Sequence, residues 1–296
     1  MKRQDKTIII IGAGASGLMA AKRLAKRYKV ILLEASDRVG GRIYTETVPG
    51  FSRPIEAGAE FIHGKLPVTL KLLKKANIDC KEFMGKFYRA DETGFYEQQE
   101  MIEGWDKLLK QMKKEKHDMT LHEFLQKHYS GDEHSGLRQH IRNYAEGFDL
   151  ADIAKASMKA LYNEWSNEDP EIYRVPGGYG QVITYLFDEC KENDVEIFMN
   201  SVVTDINWEK NKVSVQTKGG TQYSGEKCIV TVPIYFLQQP NTHSINFNPR
   251  LQDHISAASE IGYSTVLKIV LEFNEPFWNS YAKNSGFIIT DEQIPT

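Results

Sequence analysis

Gly12, Gly14, Gly17 and Glu34 have the residue types and spacing to hold a dinucleotide. The β-branched run Thr7-Ile-Ile-Ile-Ile11 leads straight into Gly12-Ala-Gly-Ala-Ser-Gly17, and good helix formers follow from Leu18. The reading is strand, glycine turn, helix. Gly12 permits the tight turn, Gly14 lets the backbone approach a pyrophosphate, and Gly17 allows close helix–sheet packing. Ala15 and Ser16 open the helix, where free N–H groups and the positive dipole end favour phosphate. A second apolar run, Val30-Ile-Leu-Leu33, ends on Glu34, 22 positions after Gly12. A carboxylate there accepts hydrogen bonds from both ribose hydroxyls and repels a 2′-phosphate. Strand, helix and acid together give the glycine pattern its meaning.

Two further residues could do chemistry. Lys268 is a single cation among Val266, Leu267, Ile269, Val270 and Leu271. Such a lysine is either exposed on a strand edge or paired. If buried, its pKa falls and it becomes a site candidate. His63 closes the run Glu56-Ala-Gly-Ala-Glu-Phe-Ile-His-Gly64 and is either a satisfied structural residue or a site residue. Five more histidines, His117, His122, His128, His134 and His140, stand five or six residues apart. No pair has the spacing that puts two ligands on one helix face, so no metal site is expected.

These residues need a scaffold of at least two parts. All-apolar strands at 7–11 and 30–33 suit a parallel sheet buried on both faces. Residues 66–168 carry amphipathic patterns at 67–76, 103–114, 121–128 and 137–148, which predict a largely helical insertion. Strand-like runs return at 195–198, 201–207, 212–216 and 227–232. The lysine- and arginine-rich stretches 22–29 and 110–116 read as solvated helix faces.

Composition restricts the rest. The 296 residues carry a formal charge of −3, which points to no nucleic acid or anionic membrane partner. No stretch reaches the ~20 apolar residues of a membrane span. The basic, briefly apolar N-terminus is too short for a signal peptide. Cys80, Cys190 and Cys228 form no CxxC pair and fit a reducing compartment, so a cytoplasmic protein is expected.

Residues 34–42, Glu-Ala-Ser-Asp-Arg-Val-Gly-Gly-Arg, resemble the stretch after the second strand in the flavin amine oxidase superfamily. The resemblance implies FAD as cofactor. Ala35 would lie beside it, Gly40 and Gly41 would fold over the diphosphate, and Arg42 would set a guanidinium against it. Arg38 either assists or is a solvated loop residue. The 56–64 segment is similar to the family's passage beside the flavin ring. Gly58, Ala59, Glu60 and Phe61 would then contact the cofactor and His63 the substrate channel, although many relatives carry Trp where Phe61 stands.

The resemblance continues through Val175-Pro-Gly-Gly-Tyr-Gly180, where the chain would return to the FAD domain. Val203 would hold the adenine through its backbone, and Cys228-Ile-Val-Thr-Val-Pro233 would close the domain. Before Pro276-Phe-Trp278 it implies a long strand on which Lys268 orients a water at flavin N5. The implied fold is α/β: a Rossmann-like FAD-binding domain (GR2-type, parallel sheet plus β-meander) over 1–65 and 175–238. It is interleaved with an α+β substrate-binding domain over 66–174 and 239–296. The implied activity is oxidation of an amine by hydride transfer to flavin N5, with imine hydrolysis and reduction of O2 to H2O2.

Family members also carry a later Arg-hydrophobic-Phe-Ala-Gly-Glu segment with no counterpart after Trp278. A truncated form with impaired activity is therefore expected. The alternatives are a related FAD-dependent oxidase or desaturase acting on a non-amine, and a nonenzymatic flavin- or partner-binding fragment. Oligomeric state is not legible.

Overall fold

A computed structural model describes residues 4–100, 102–169, 171–238 and 244–290. The outer parts of the 239–296 assignment, at 239–243 and 291–296, lie outside them. The chain divides into two compact units: Met1–Phe61, Pro67–Lys81 and Arg174–Ile261 form the first, and Ile62–Leu66, Glu82–Tyr173 and Gly262–Thr296 the second.

In the first unit, β1 (Thr7–Ile11) and β2 (Lys29–Leu33) flank the helix α1 (Ala15–Leu24). Both strands are almost wholly buried, as all-apolar strands of a parallel sheet must be. Strand Lys227–Val230 pairs parallel to β1, and strand Glu196–Phe198 parallel to β2. β1 therefore lies centrally and aims its C-terminal end, the glycine turn, out of the sheet. Strands Val203–Glu209, Lys212–Thr217 and Gln222–Gly225 form an antiparallel meander, joined by Asn246–Asn248 parallel to the first. One core binds the two sheets: Ile9, Ile11, Ile31 and Leu33 pack with Val203, Ile206, Val213 and Val215. This is the α/β fold with parallel sheet and meander expected from the sequence.

Helix Pro67–Ala76 belongs to this unit, not to the insertion in which the sequence placed it. It packs on helix Gly180–Glu192, and Lys75 reaches Glu189 at 3.7 Å. Lys22 is a second correction. Its stretch reads as a solvated face, yet it is 6% exposed, with Nζ 3.0 Å from Glu189 and 3.1 Å from Tyr185 Oη. It ties α1 to helix Gly180–Glu192, because on α1 its position falls on the buried stripe with Leu18 and Ala21.

The second unit has a helical core in which Leu108, Met112, Phe124, Ile141, Met158 and Trp165 interlock. Helices Trp105–Lys114, Leu121–His128 and Ser135–Asn143 lie where the amphipathic patterns put them. Thr120 and Glu123 form a reciprocal capping box on the middle one. The insertion is not only helical, however. Strands Lys86–Asp91 and Gly94–Gln98 form a hairpin, extended by Ser285–Thr290 parallel to the first. Aromatic residues on both arms and the Asp91–Thr93 turn, whose backbone N–H bonds Asp91 at 2.8 Å, account for it.

Residues 261–273 form no strand. Val266, Leu267, Ile269 and Leu271 are 69–84% exposed, and no strand among the described residues pairs with them. β-propensity without a ladder partner does not make a strand.

Candidate functional site

The glycine turn is built from three glycines held for different reasons. Gly12 has φ +98°, in the left-handed region, and its N–H bonds Leu33 O at 2.8 Å. Gly17 meets that turn from above, and a Cβ on it would overlap Gly12 O. Both are therefore required by the chain itself. Gly14 is not. Its φ of −72° and ψ of −179° suit any residue, and the nearest atom to an added Cβ is Gly40 O at 3.9 Å. The space beside Gly14 is open.

That space lies at the head of α1. The first helical hydrogen bond runs from Leu18 N–H to Gly14 O at 3.0 Å, so Ala15, Ser16 and Gly17 have N–H groups with no intrahelical acceptor. No side chain caps this end, and no acid stands in the first turn. A loop closes the opposite side: Gly40 N–H bonds Ala13 O at 2.9 Å, and Gly14 and Gly40 form a bridge. Gly41 has φ +57° and meets only Gly14 Cα, at 3.5 Å from an added Cβ. Glycines thus line both walls of an opening that a helix N-terminus faces.

Glu34 stands at the tip of β2 with its carboxylate fixed. One oxygen accepts Ala13 N–H at 2.7 Å. The other accepts Ser36 N–H at 3.0 Å and Ser36 Oγ–H at 2.8 Å. Three of the carboxylate's roughly four acceptor sites are thus taken, and one, on the oxygen that faces Ala13, remains for a ribose hydroxyl. Ala35 beside it is exposed. Ser201 N–H bonds Glu34 O at 2.7 Å, which brings the Val203 strand alongside. The Val203 side chain is buried in the core, so only its backbone is available to a ligand. Glu34→Ala is expected to weaken ADP binding roughly ten- to a hundredfold, as loss of charge-assisted hydrogen bonds does. Calorimetry on the two chains would read this, and equal affinities would remove Glu34 from the site.

Arg42 is exposed at the loop's end. Its carbonyl accepts Ala59 N–H at 2.9 Å, and Gly58 lies so close that a Cβ would overlap Arg42 O. Gly58 thus has a reason within the chain: it zips the 56–59 segment to the Arg42 loop. Arg38 is a loop brace, stacking on Tyr44 at 3.9 Å and donating to Gly41 O at 3.1 Å. Glu60 pairs with Arg174, whose guanidinium lies 4.9 Å from the Phe61 ring. Burial lowers the pKa of Arg174, opposed by the Glu56 carboxylate. Glu56 also accepts Tyr179 N–H at 2.5 Å and Thr45 Oγ–H at 2.7 Å, anchoring the head of helix Gly180–Glu192.

The first unit gathers Gly12, Gly14, Ala15, Ser16, Gly17, Glu34, Ala35, Arg42, Gly58, Ala59, Glu60, Phe61 and Val203. His63 and Lys268 belong to the second. His63 is exposed and meets Phe148 edge-on at 5.9 Å. Phe148 ends a π-helical turn, Tyr144–Phe148. Lys268 is exposed on the strandless segment. Sequence reasoning missed Ser36, the brace of Glu34, and Thr231, whose Oγ–H bonds the glycine turn. Ser36 stands two positions from Glu34, and that spacing was the available signal; only the three-dimensional path of the chain shows Thr231. Among the described residues no group of three His, Cys, Asp or Glu side chains could hold a metal.

The opening fits a diphosphate: it has no steric claim from the chain at Gly14, free amides at its head and an acid at ribose distance in sequence. Comparison with known proteins agrees. The family described as flavin containing amine oxidoreductase matches residues 15–295. Polyamine oxidase 4 of Oryza sativa subsp. japonica is 27% identical over 92% of this chain and 60% of its own length. Human lysine-specific histone demethylase 2 is 29% identical over 96% of this chain and 36% of its own. The solved structure of a putrescine oxidase bound to putrescine aligns with TM-score 0.61 at 21% identity, covering 84% of this chain and 62% of that one. This last likeness shows the fold. The chain spans about 60% of the length of the polyamine oxidase it matches.

Proposed function

This chain belongs to the flavin containing amine oxidoreductase family, and from that premise we propose that its first unit holds FAD and that the whole protein oxidises an amine. The observation that carries the cofactor reading is the open space beside Gly14, faced by the uncapped head of α1. The α1 amides would meet the diphosphate, Glu34 the adenosine ribose, the Val203 backbone the adenine, and Arg42 the outer phosphate oxygens. Gly58, Ala59, Glu60 and Phe61 would pass beside the ring, kept in line by the Glu60–Arg174 pair.

When bound, the flavin supplies a hydride acceptor and a site at which O2 becomes H2O2. The chain's own residues bind and orient. Lys268 would hold a water near the ring, and His63 would line the path of the amine; both roles are supported by the family resemblance. The substrate class is a small-molecule amine, as the names of the polyamine oxidase and putrescine oxidase relatives suggest. Among the described residues no helix is long and apolar enough to cross a membrane.

Peroxide release from the purified protein against monoamines, polyamines and L-amino acids tests the reading. Peroxide with at least one amine class supports it, and a flavin-loaded protein that reacts only with a non-amine would replace it. Lys268→Met is expected to slow flavin reduction or reoxidation about tenfold or more while FAD stays bound. Unchanged rates in stopped-flow would exclude Lys268 from the chemistry.

A further inference from the structure

We infer that Thr231 is a positioning residue for the diphosphate loop, an assignment that rests on the FAD reading above. Thr231 follows strand Lys227–Val230 directly and continues the ladder, its N–H bonding Ile11 O at 2.9 Å. Its hydroxyl turns back onto the glycine turn, with Ile11 O at 2.9 Å and Gly12 O at 3.0 Å. One O–H is thus shared by two carbonyls of the turn.

The position of this hydroxyl matters because of what surrounds it. An added Cβ on Gly12 would lie 3.0 Å from Thr231 Oγ1, and one on Gly17 would lie 2.9 Å from it. The same Gly17 Cβ would overlap Gly12 O. The Gly12 carbonyl is therefore directed under the first turn of α1, between Gly17 and the Thr231 hydroxyl. A carbonyl oxygen is an acceptor, and one facing a diphosphate would repel it. The Thr231 O–H satisfies that carbonyl inside the turn, which leaves the amides of Ala15, Ser16 and Gly17 at the head of α1 to face the opening.

The ligand is the diphosphate of an adenine dinucleotide, and ADP and FAD are the probes. Thr231→Val keeps the shape and β-branching and removes the hydroxyl. It is expected to weaken ADP and FAD binding about tenfold, the weight of one hydrogen bond's orienting effect. Thr231→Ser is expected to bind within about twofold of wild type, since the hydroxyl is retained. Thr231→Ala against Thr231→Ser gives a second comparison across the same hydroxyl, should the valine chain not fold. Affinities are read by calorimetry at a temperature where circular dichroism shows each chain folded, which separates positioning from stability.

A folded Thr231→Val or Thr231→Ala chain that binds ADP as tightly as wild type would overturn the assignment and leave the FAD reading standing. A Thr231→Ser chain as weak as Thr231→Ala would also overturn it, because the hydroxyl would then not be the active group. A folded wild-type chain that binds neither ADP nor FAD would overturn both.

Discussion

Gly14→Val is expected to fold and to bind ADP or FAD at least about a hundredfold more weakly than wild type. Gly14 has ordinary extended dihedrals and no atom nearer than 3.9 Å to an added Cβ, so the chain itself tolerates a branched side chain there. The fold should lose no more than about 1 kcal/mol, the cost of a poor helix N-cap. A diphosphate against the α1 amides, by contrast, would share its space with two methyl groups, and overlap of that kind removes several hydrogen bonds together. Gly17→Ala is expected to cost stability as well. Its Cβ would overlap Gly12 O, so the turn or helix must shift, at a cost of about 1–3 kcal/mol typical of overpacking. Thermal melts and ADP titrations of the two chains separate the roles. A Gly14→Val chain that binds normally would show that no ligand approaches there.

Lys22→Met is expected to destabilise the first unit by about 2–4 kcal/mol, measured by urea denaturation. Removing one partner of a buried ion pair leaves the other charge uncompensated. Glu189 is 21% exposed and keeps Lys75 at 3.7 Å, which places the cost at the lower part of the usual range. The pH dependence follows from the signs. Burial alone pulls Lys22 down, but hydrogen bonds with Tyr185 and Glu189 hold it above its ordinary 10.5. Glu189 is held below its ordinary 4.5, chiefly by the Lys22 hydrogen bond. A raised lysine contributes stability that is full below pH 10.5 and lost as pH climbs through the folded value. A lowered carboxyl contributes stability present above pH 4.5 and lost as pH falls through its folded value. The gap between wild type and Lys22→Met should hold steady between those limits and narrow outside them. A gap that widens below pH 4.5 would contradict the pairing.

The parallel-sheet half of the fold was legible because its signals are local. An apolar strand, a glycine turn and a helix succeed one another within 20 residues, and Gly17 meets Gly12 O inside that span. What escaped was decided at long range. Lys22 looked like any helix lysine, and only helix Gly180–Glu192, more than 150 residues later, makes it a buried partner of Glu189. Thr231 acts on Gly12 across 219 positions. The carbonyl of Arg42 also claims the space of a side chain at Gly58, a demand of the chain itself that the sequence did not show. The hairpin at Lys86–Asp91 and Gly94–Gln98 was hidden among stronger helical patterns, and the consecutive aromatics Phe87-Tyr88 and Phe95-Tyr96 on its two arms were the available signal. The strand expected around Lys268 has the right residues and no neighbouring ladder among those described.

The central claim is that the opening between Gly14, Gly41 and the head of α1 holds a dinucleotide diphosphate. Titrating ADP into the purified, folded chain, with FAD as competitor, tests it most directly. The expected result is one saturable site, competed by FAD and abolished in Gly14→Val. A folded wild-type chain that takes up neither ligand at millimolar concentration would contradict it.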